Sequence, residues 1–380
     1  MDITNYEVIV IGAGLSGIVM AERFSSILKK KVLIIDKRNH IGGNCHDYID
    51  KDTGILMNSY GAHLFHTNDK EVYDYINSFC KWIRWEHKVI GLIDNQYYPI
   101  PANITTVNCL CDENISNTNE MNEWLLNNQI KYDNIDNSEK MAKSRVGNIL
   151  YEKIFKHYTF KQWNCYPDKL LPDVLARIPV RNNYDTRYFS DKYQVLPEKG
   201  YTHFFNKIIE KNPLITVVLD TDYFKIKQDI QDNQIIIYTG PIDHYYSYLG
   251  YPALEYRSIN FEITKIFNTN YYQPNSVVNY PDMSTEYTRC VEYKHFLNQK
   301  SEHTVIVKET STNVGEPYYP VLNNKNKELY NKYLKMANQE KSNVHFIGRL
   351  ARYKYFNMDE AIRNALNYFE NNFLNINKWK

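Results

Sequence analysis

No stretch of this 380-residue chain approaches the roughly 18 consecutive apolar residues that a membrane span requires, which argues against insertion into a bilayer. Charge of one sign is lacking as well. With 45 Lys and Arg against 44 Asp and Glu the net charge is +1, so nothing in the balance favours nucleic acid or an anionic membrane as a partner. No leader-like segment precedes the first apolar run after Met1-Asp2-Ile3-Thr4-Asn5, and a soluble, cytoplasmic protein is expected. The six cysteines (45, 80, 109, 111, 165 and 290) are scattered and read as reduced thiols. Cys109-Leu110-Cys111 has neither CxxC spacing nor a second pair, and His63 and His66 have no third ligand nearby, so no metal centre is expected. The chain also lacks GxxxxGK[ST], GxSxG and HExxH, which removes P-loop phosphoryl transfer, the nucleophile elbow and the zinc-protease helix.

Glycine is scarce too, yet three of the 14 fall where they carry information. Val8-Ile9-Val10-Ile11 reads as a buried strand, and Gly12-Ala13-Gly14-Leu15-Ser16-Gly17 follows it directly. An amphipathic helix through Phe24, Ile27 and Leu28 then ends at Lys29-Lys30-Lys31, cations suited to the negative end of a helix dipole. A second strand, Val32 to Ile35, closes on Asp36. Strand, glycine turn, helix, strand and acid in this order form the dinucleotide fingerprint. Gly12, Gly14 and Gly17 let the backbone approach a pyrophosphate, the helix N-terminus attracts its charge, and Asp36 can accept from a ribose hydroxyl. A second pair, Gly42-Gly43, follows the acid and resembles the FAD-binding branch of this fold, which favours FAD over NAD. No further GxGxxG occurs after Gly43, so no separate NADPH-binding domain announces itself.

Further along, Val89 to Ile100 turns to short strands, and helical signals dominate from Thr106 to Trp163, including Met121 to Leu126 and Val146 to Tyr158. The Asn-rich stretch Asp112 to Ser138 reads as helices joined by exposed loops, and residues 170–190 as irregular chain. Tyr201 to Glu210 reads as a helix, and Ile215 to Leu219 and Ile235 to Tyr238 as strands. Alternation across Ser258 to Phe267, Ser276 to Tyr280 and His303 to Val307 predicts an antiparallel sheet. Val344 to Arg349 is a buried strand ending in Gly-Arg, followed by a helix with Ala361, Ile362, Ala365, Leu366 and Phe369 on one face. Asn357 suits its N-cap and Glu360 its N3 position. The 34 tyrosines fit an A/T-rich coding sequence, and only local context can single out those that line a site.

That context exists. Tyr158-Thr159-Phe160-Lys161-Gln162-Trp163, Arg177-Ile178-Pro179-Val180-Arg181 and Asn183-Tyr184-Asp185-Thr186-Arg187-Tyr188-Phe189 stand mid-chain. Asn279-Tyr280, Tyr287-Thr288-Arg289, Pro317-Tyr318-Tyr319-Pro320 and Gly348-Arg349-Leu350 follow, and Met57 to Thr67 precedes them. Together these resemble the bacterial-type UDP-galactopyranose mutases over nearly the whole chain.

The resemblance implies an α/β fold: an FAD-binding Rossmann-like domain with an inserted helical domain and an antiparallel β-sheet domain. The expected division is 1–80, 195–240 and 341–380 for the FAD-binding part and 105–170 for the helices. Residues 81–104, 171–194 and 241–340 then form the sheet and substrate domain. It implies an isomerase in which reduced FAD acts as a nucleophile: N5 attacks the anomeric carbon of UDP-galactopyranose, UDP leaves, and the sugar recloses as the furanose. Arg177, on a mobile loop, and Arg289 would hold the diphosphate, since arginine stays ionised and forks two donors onto phosphate oxygens. His63 would stand beside the flavin. Tyr188, Tyr319 and Tyr355 would donate to the diphosphate, Tyr158 would pack on uracil, and Asn279 and Trp163 would lie near the uridine and sugar. Gly12, Gly14, Gly17, Asp36, Gly43, Asn44, Arg349, Asn357 and Met358 would contact the cofactor. UDP-galactose and UDP-galactofuranose are the implied partners, with a homodimer as the family habit.

Two positions depart from the family pattern. Asn357 replaces an acid, and Ile154 stands where an aromatic residue often flanks the uridine. The first keeps a helix cap but contributes no charge near the flavin; the second leaves base stacking one-sided. The competing functional class is an FAD-dependent oxidoreductase of the amine-oxidase-like type, which needs no paired arginines. A third class is a UDP-sugar- or flavin-binding protein without turnover.

Overall fold

Apolar strands with no polar alternation can be buried only if both faces of their sheet are covered, and this sheet is built from such strands. The computed structural model describes residues 2–339 and 343–374. In it Ile215–Val218, Val32–Ile35, Val8–Ile11, Ile235–Tyr238 and Val344–Phe346 lie side by side in that order, all parallel. Val8, Val10, Val32 and Ile34 face the helices Leu15–Ser26, Tyr201–Glu210 and Met358–Phe369, packing with Phe24, Phe205, Ile208, Ala365 and Phe369. Ile9, Ile11, Leu33 and Ile35 face the opposite way, onto Ile242, Tyr245 and Tyr333. The N-terminal helix stops at Ser26, earlier than the expected Lys29 to Lys31, because Lys29 turns left-handed (φ +55°). Lys29 still serves the helix end, donating its ammonium to the Ser26 carbonyl at 2.7 Å.

A second, seven-stranded sheet runs Tyr319–Pro320, Tyr256–Ile266, Thr304–Thr312, Arg289–Glu292, Val277–Asn279, Val89–Ile93, Gln96–Ile100. It departs from the antiparallel expectation at one join, where Val277–Asn279 runs parallel to Val89–Ile93. The two strands are far apart in sequence, so no hairpin dictates their sense. A third sheet joins Phe65–Thr67, Tyr193–Pro197 and Trp82–Arg84, three short strands whose mixed composition hid them from the sequence pattern.

This arrangement redistributes the expected domain segments. Trp82–Arg84 belongs to the three-stranded sheet rather than with residues 89–100. The helices Ile242–Tyr245 and Asn324–Gln339 pack on the parallel sheet rather than on the seven-stranded one. The helix Asp173–Ala176 sits against the helix Ser138–Leu150. Of the expected C-terminal FAD-binding segment, residues 341–342 and 375–380 lie outside the described residues.

The helical segment uses its asparagines as caps: Asn103, Asn117 and Asn137 accept the backbone N–H groups of Thr106, Glu120 and Lys140 at the starts of three helices. The helical signal over Val146 to Tyr158 is met with one interruption. Gly147 adopts φ +74°, Tyr151–Lys156 forms a π-turn, and His157–Trp163 continues as a separate α-helix. Among the described residues no helix is long and apolar enough to cross a membrane.

Candidate active site

In an open parallel sheet the crevice forms at the carboxyl ends of the strands, where chain order reverses. Here the chain moves outward from Val8–Ile11 to Val32–Ile35 and Ile215–Val218, then returns to the other side at Ile235–Tyr238. The residues that follow the strand ends (Gly12, Asp36, Thr239 and Gly348) line a groove of about 520 Å³. Gly12 adopts φ +108°, and a Cβ there would overlap the Thr239 hydroxyl. Gly43 adopts φ +55°, and its Cβ would come within 2.8 Å of the Gly14 Cα. Two glycine loops thus interlock, and any side chain would fill the cradle that an extended dinucleotide requires.

Asp36 lines this groove while bracing it. One carboxylate oxygen accepts the Ala13 N–H at 2.8 Å and the other accepts the Arg38 N–H at 2.9 Å. Asn44, Arg349, Asn357 and Met358 also line the groove; Gly17 does not, and instead presses the first helix onto Gly12. Arg349 spends its Nε and Nη2 donors on the Phe356 carbonyl, at 3.2 and 2.5 Å, which folds the 349–356 turn ahead of the last helix. At that helix start Glu360 accepts the Asn357 N–H at 2.7 Å. The Cys45 thiol in the groove wall is pushed up to about 12 by burial, so it stays protonated there.

His63 also borders the groove. Its Nδ1 lies 2.8 Å from the Gly61 carbonyl, which can only accept, so the proton sits on Nδ1 and Nε2 is left as an acceptor. Burial pushes its pKa down to about 4, and Arg349 and Arg289 press it the same way. His87 and His345 are lowered by burial too, to about 3 and about 4. The unfolded chain therefore binds more protons than the folded one between pH 6.5 and about 4, and this contribution to stability is present above 6.5 and lost on acidification. Urea midpoints should fall steadily over that window; a flat profile would show that these imidazoles are protonated in the fold.

Beside the groove the helix His157–Trp163 lies against the seven-stranded sheet, and Arg349 of the groove reaches over the Tyr319 and Tyr355 rings at 5.7 and 5.2 Å. Arg289 and Asn279 face each other across two strands of that sheet, and Glu309 faces Arg289 from the next. The Arg289 Nε donates to Glu309 at 2.6 Å, and Glu309 is 1% exposed. Desolvation works against the Arg289 charge, but Glu309, Tyr158 and Tyr319 together outweigh it and hold the guanidinium well above its ordinary value. The side-chain oxygen of Asn279 is buried with no partner.

Opposite, Arg177 is exposed and lies 4.0 Å over the Tyr355 ring, with its Nη2 donating to the Tyr355 hydroxyl at 3.1 Å. Tyr355 stacks on Tyr319 (5.3 Å, 11°), and the Trp163 ring borders both, 6.4 Å from Tyr319 and 6.5 Å from Tyr355. Burial pushes the Tyr355 phenol up, yet Arg177, Arg349 and Arg289 together hold it below its ordinary value. Tyr158 feels the charge of Arg289 and neighbours Tyr188 and Tyr319, while Tyr188 also packs on His87. Gly12, Gly14, Asp36, Gly43, Asn44, His63, Arg349, Asn357 and Met358 line the groove, Gly17 has a packing role, and the aromatic and arginine residues gather around the Tyr319–Tyr355 stack and the Asn279–Arg289 pair.

Two participants escaped the sequence reading. Glu309 was legible in principle: it falls in phase with Val305 and Val307, and an acid on a buried strand face needs a buried cation. Arg38 lines the groove two residues after the acid, over the Tyr60 ring at 4.4 Å and donating to Asn44 at 3.0 Å.

Comparison with known proteins matches the geometry. Residues 10–79 match the model of the NAD(P)-binding Rossmann-like domain, and residues 153–355 that of the UDP-galactopyranose mutase family. A probable UDP-galactopyranose mutase of Klebsiella pneumoniae is 35% identical over 95% of this chain and 93% of its own. A dTDP-fucopyranose mutase of Escherichia coli is 34% identical over 96% and 99%. Among solved structures, a reduced UDP-galactopyranose mutase superposes with a TM-score of 0.74 at 15% identity, covering 96% of this chain and 95% of that one. The groove at the switch point and the arginine-flanked tyrosine stack beside it are thus carried by a chain that belongs to the UDP-galactopyranose mutase family of isomerases.

Proposed function

We propose that the protein interconverts UDP-galactopyranose and UDP-galactofuranose, with FAD in the groove at the parallel-sheet switch point. The observation that carries this reading is the placing of two guanidiniums, Arg177 and Arg289, about the stacked Tyr319–Tyr355 pair beside that groove. A departing diphosphate must be held while its sugar is detached, and forked cationic donors do this without losing their charge. Arg289 is anchored by Glu309 and serves as the fixed half of the clamp. Arg177, exposed and held by a phenol and a ring face, serves as the half that comes and goes.

The interlocked glycine loops, Asp36, Asn44, Arg349, Asn357 and Met358 would hold FAD. When bound and reduced it supplies a nucleophile, N5, for the anomeric carbon. Around it the chain's own residues position and exclude. Neutral His63 offers Nε2 as an acceptor beside the ring system, and a buried cation is avoided there. Tyr188, Tyr319 and Tyr355 donate to phosphate oxygens; Tyr158 gives the uracil an aromatic face; Asn279 has a free side-chain oxygen for a uridine or sugar hydroxyl; Trp163 closes the apolar side of the sugar space. UDP-galactose and its furanose are thus the proposed small-molecule partners, and a homodimer of a cytoplasmic enzyme is the proposed state.

The Escherichia coli relative, equally similar and matched over nearly its whole length, supports a second reading, in which the nucleotide sugar is dTDP-fucose. The test is turnover of UDP-galactofuranose and dTDP-fucofuranose by purified protein, with and without dithionite, followed by chromatography. Conversion of the UDP sugar only after reduction is expected. Preference for the dTDP sugar would replace the substrate. No conversion of either by reduced, FAD-loaded protein would transfer the reading to an FAD-dependent oxidoreductase.

A further inference from the structure

Lys161 sits between Tyr158 and Trp163 in sequence, on the same short helix, and the chemistry above gives it no task. Its ammonium is half-buried and donates to three backbone carbonyls, those of Tyr280 at 2.5 Å, Tyr287 at 3.0 Å and Thr285 at 3.2 Å. All three belong to the loop that joins the strand Val277–Asn279 to the strand Arg289–Glu292. The same loop is tied at its neck by the Tyr280 N–H, which donates to the Thr288 carbonyl at 2.8 Å. Asn279 and Arg289 are the cross-strand pair immediately outside this neck. The neighbouring Gln162 carbonyl accepts from Arg257 Nε at 3.0 Å and from the Ser311 hydroxyl at 2.7 Å, pinning the helix to the same sheet.

We infer that Lys161 is a positioning residue: its ammonium clasps the loop 280–287 to the helix that carries Tyr158 and Trp163, and so sets the spacing between that helix and the Asn279–Arg289 pair. Tyr158 and Trp163 stand on the helix, Asn279 and Arg289 on the two strands that the loop joins, and the carbonyl clasp ties the one to the other. An ammonium with its three donors spent on carbonyls is a rigid cross-link only while protonated. Burial lowers the Lys161 pKa to about 8, and Asp282 is the charged group that faces it and opposes this shift. The neighbouring phenols of Tyr280 and Tyr287 are raised by burial, and Lys308 beside Tyr287 is raised chiefly by Glu262, so none of them titrates in this window. The clasp therefore loses a donor progressively as the pH rises through about 8. Tyr158, Trp163, Asn279 and Arg289 touch the substrate; Lys161 acts through them.

This inference rests on the reading of these residues as a UDP-sugar site, and its test separates the two. The dissociation constant for UDP and the KM for UDP-galactofuranose would be measured from about pH 7 to about pH 8.5, clear of the ionisation of the uracil N3–H and of the terminal phosphate, on FAD-loaded wild type, Lys161→Met and Lys161→Arg. In wild type both constants should rise above pH 8. Lys161→Met removes all three carbonyl bonds and should raise both about tenfold at pH 7, as the helix and loop separate, leave kcat within about threefold, and flatten the pH dependence. Lys161→Arg, which stays charged, should keep the low constants and lose the alkaline rise. If Lys161→Met does not fold, the comparison of Lys161→Arg with wild type still decides, because an alkaline rise that survives in the arginine variant overturns the assignment. So do UDP affinity and KM unchanged in Lys161→Met. Wild-type protein that binds no UDP at any pH would instead overturn the substrate reading.

Discussion

Arg289→Ala should lose turnover by about 10²–10³-fold, the usual consequence of removing one preorganised donor from a site where charge develops. It should also destabilise the fold, and the second effect is as informative as the first. Glu309 is 1% exposed and has its 2.6 Å bond to Arg289 Nε as its charged contact. Deleting the cation strands that carboxylate in a low-dielectric wall, which typically costs about 3–5 kcal/mol. The pair is therefore separable by choice of variant. Glu309→Gln keeps an oxygen for the Nε–H and removes only a charge, so its stability should change by about 1 kcal/mol and its turnover less than that of Arg289→Ala. Arg289→Lys keeps the charge and loses the fork, and should fall between them. Urea unfolding and steady-state turnover on the same preparations check this order. Arg289→Ala with wild-type stability would deny the buried pair; with wild-type turnover, it would deny the diphosphate role.

What the sequence disclosed and what it withheld follow one physical line. The parallel sheet was readable because its strands are continuous apolar runs, bounded by glycine, lysine or aspartate, and such runs have few other fates. Residues 12–17 and Asp36 were readable because backbone needs, not side-chain partners, fix them. The strands Phe65–Thr67, Trp82–Arg84 and Tyr193–Pro197 carry polar residues whose partners are met only once the three are together: His66, for instance, meets Asp191, two residues ahead of the third strand, at 2.9 Å. The break at Gly147 was missed because one glycine in a helical pattern is normally tolerated. Of the site, residue types were legible through motif resemblance, but pairings were not. That Glu309 rather than solvent anchors Arg289, and that Lys161 spends itself on carbonyls, depend on strand register and loop path. Neither is encoded locally.

Gly17→Ala should yield a less stable protein that has lost its flavin, while Gly14→Ala should lose flavin without losing stability. The contrast comes from what a methyl group would meet. At Gly17 a Cβ overlaps the Gly12 carbonyl oxygen and lies 3.1 Å from Val10 Cγ1. Neither neighbour can yield. Val10 is in the central strand, paired on both sides, and Gly12 is tied by its N–H to the Ile35 carbonyl at 2.8 Å. The helix Leu15–Ser26 must lift instead, for about 1–3 kcal/mol, and it carries away the N-terminal amides that would receive a pyrophosphate. At Gly14 the nearest atom to a Cβ is the Gly43 Cα at 3.6 Å, an ordinary contact, so the fold accepts the methyl and only the cradle is narrowed. The flavin-to-protein absorbance ratio and the urea midpoint of each variant separate these cases. If Gly17→Ala kept both at wild-type values, the first helix would not be pressed on the Gly12 turn, and the groove's geometry would have to be set by the Gly42-Gly43 loop alone.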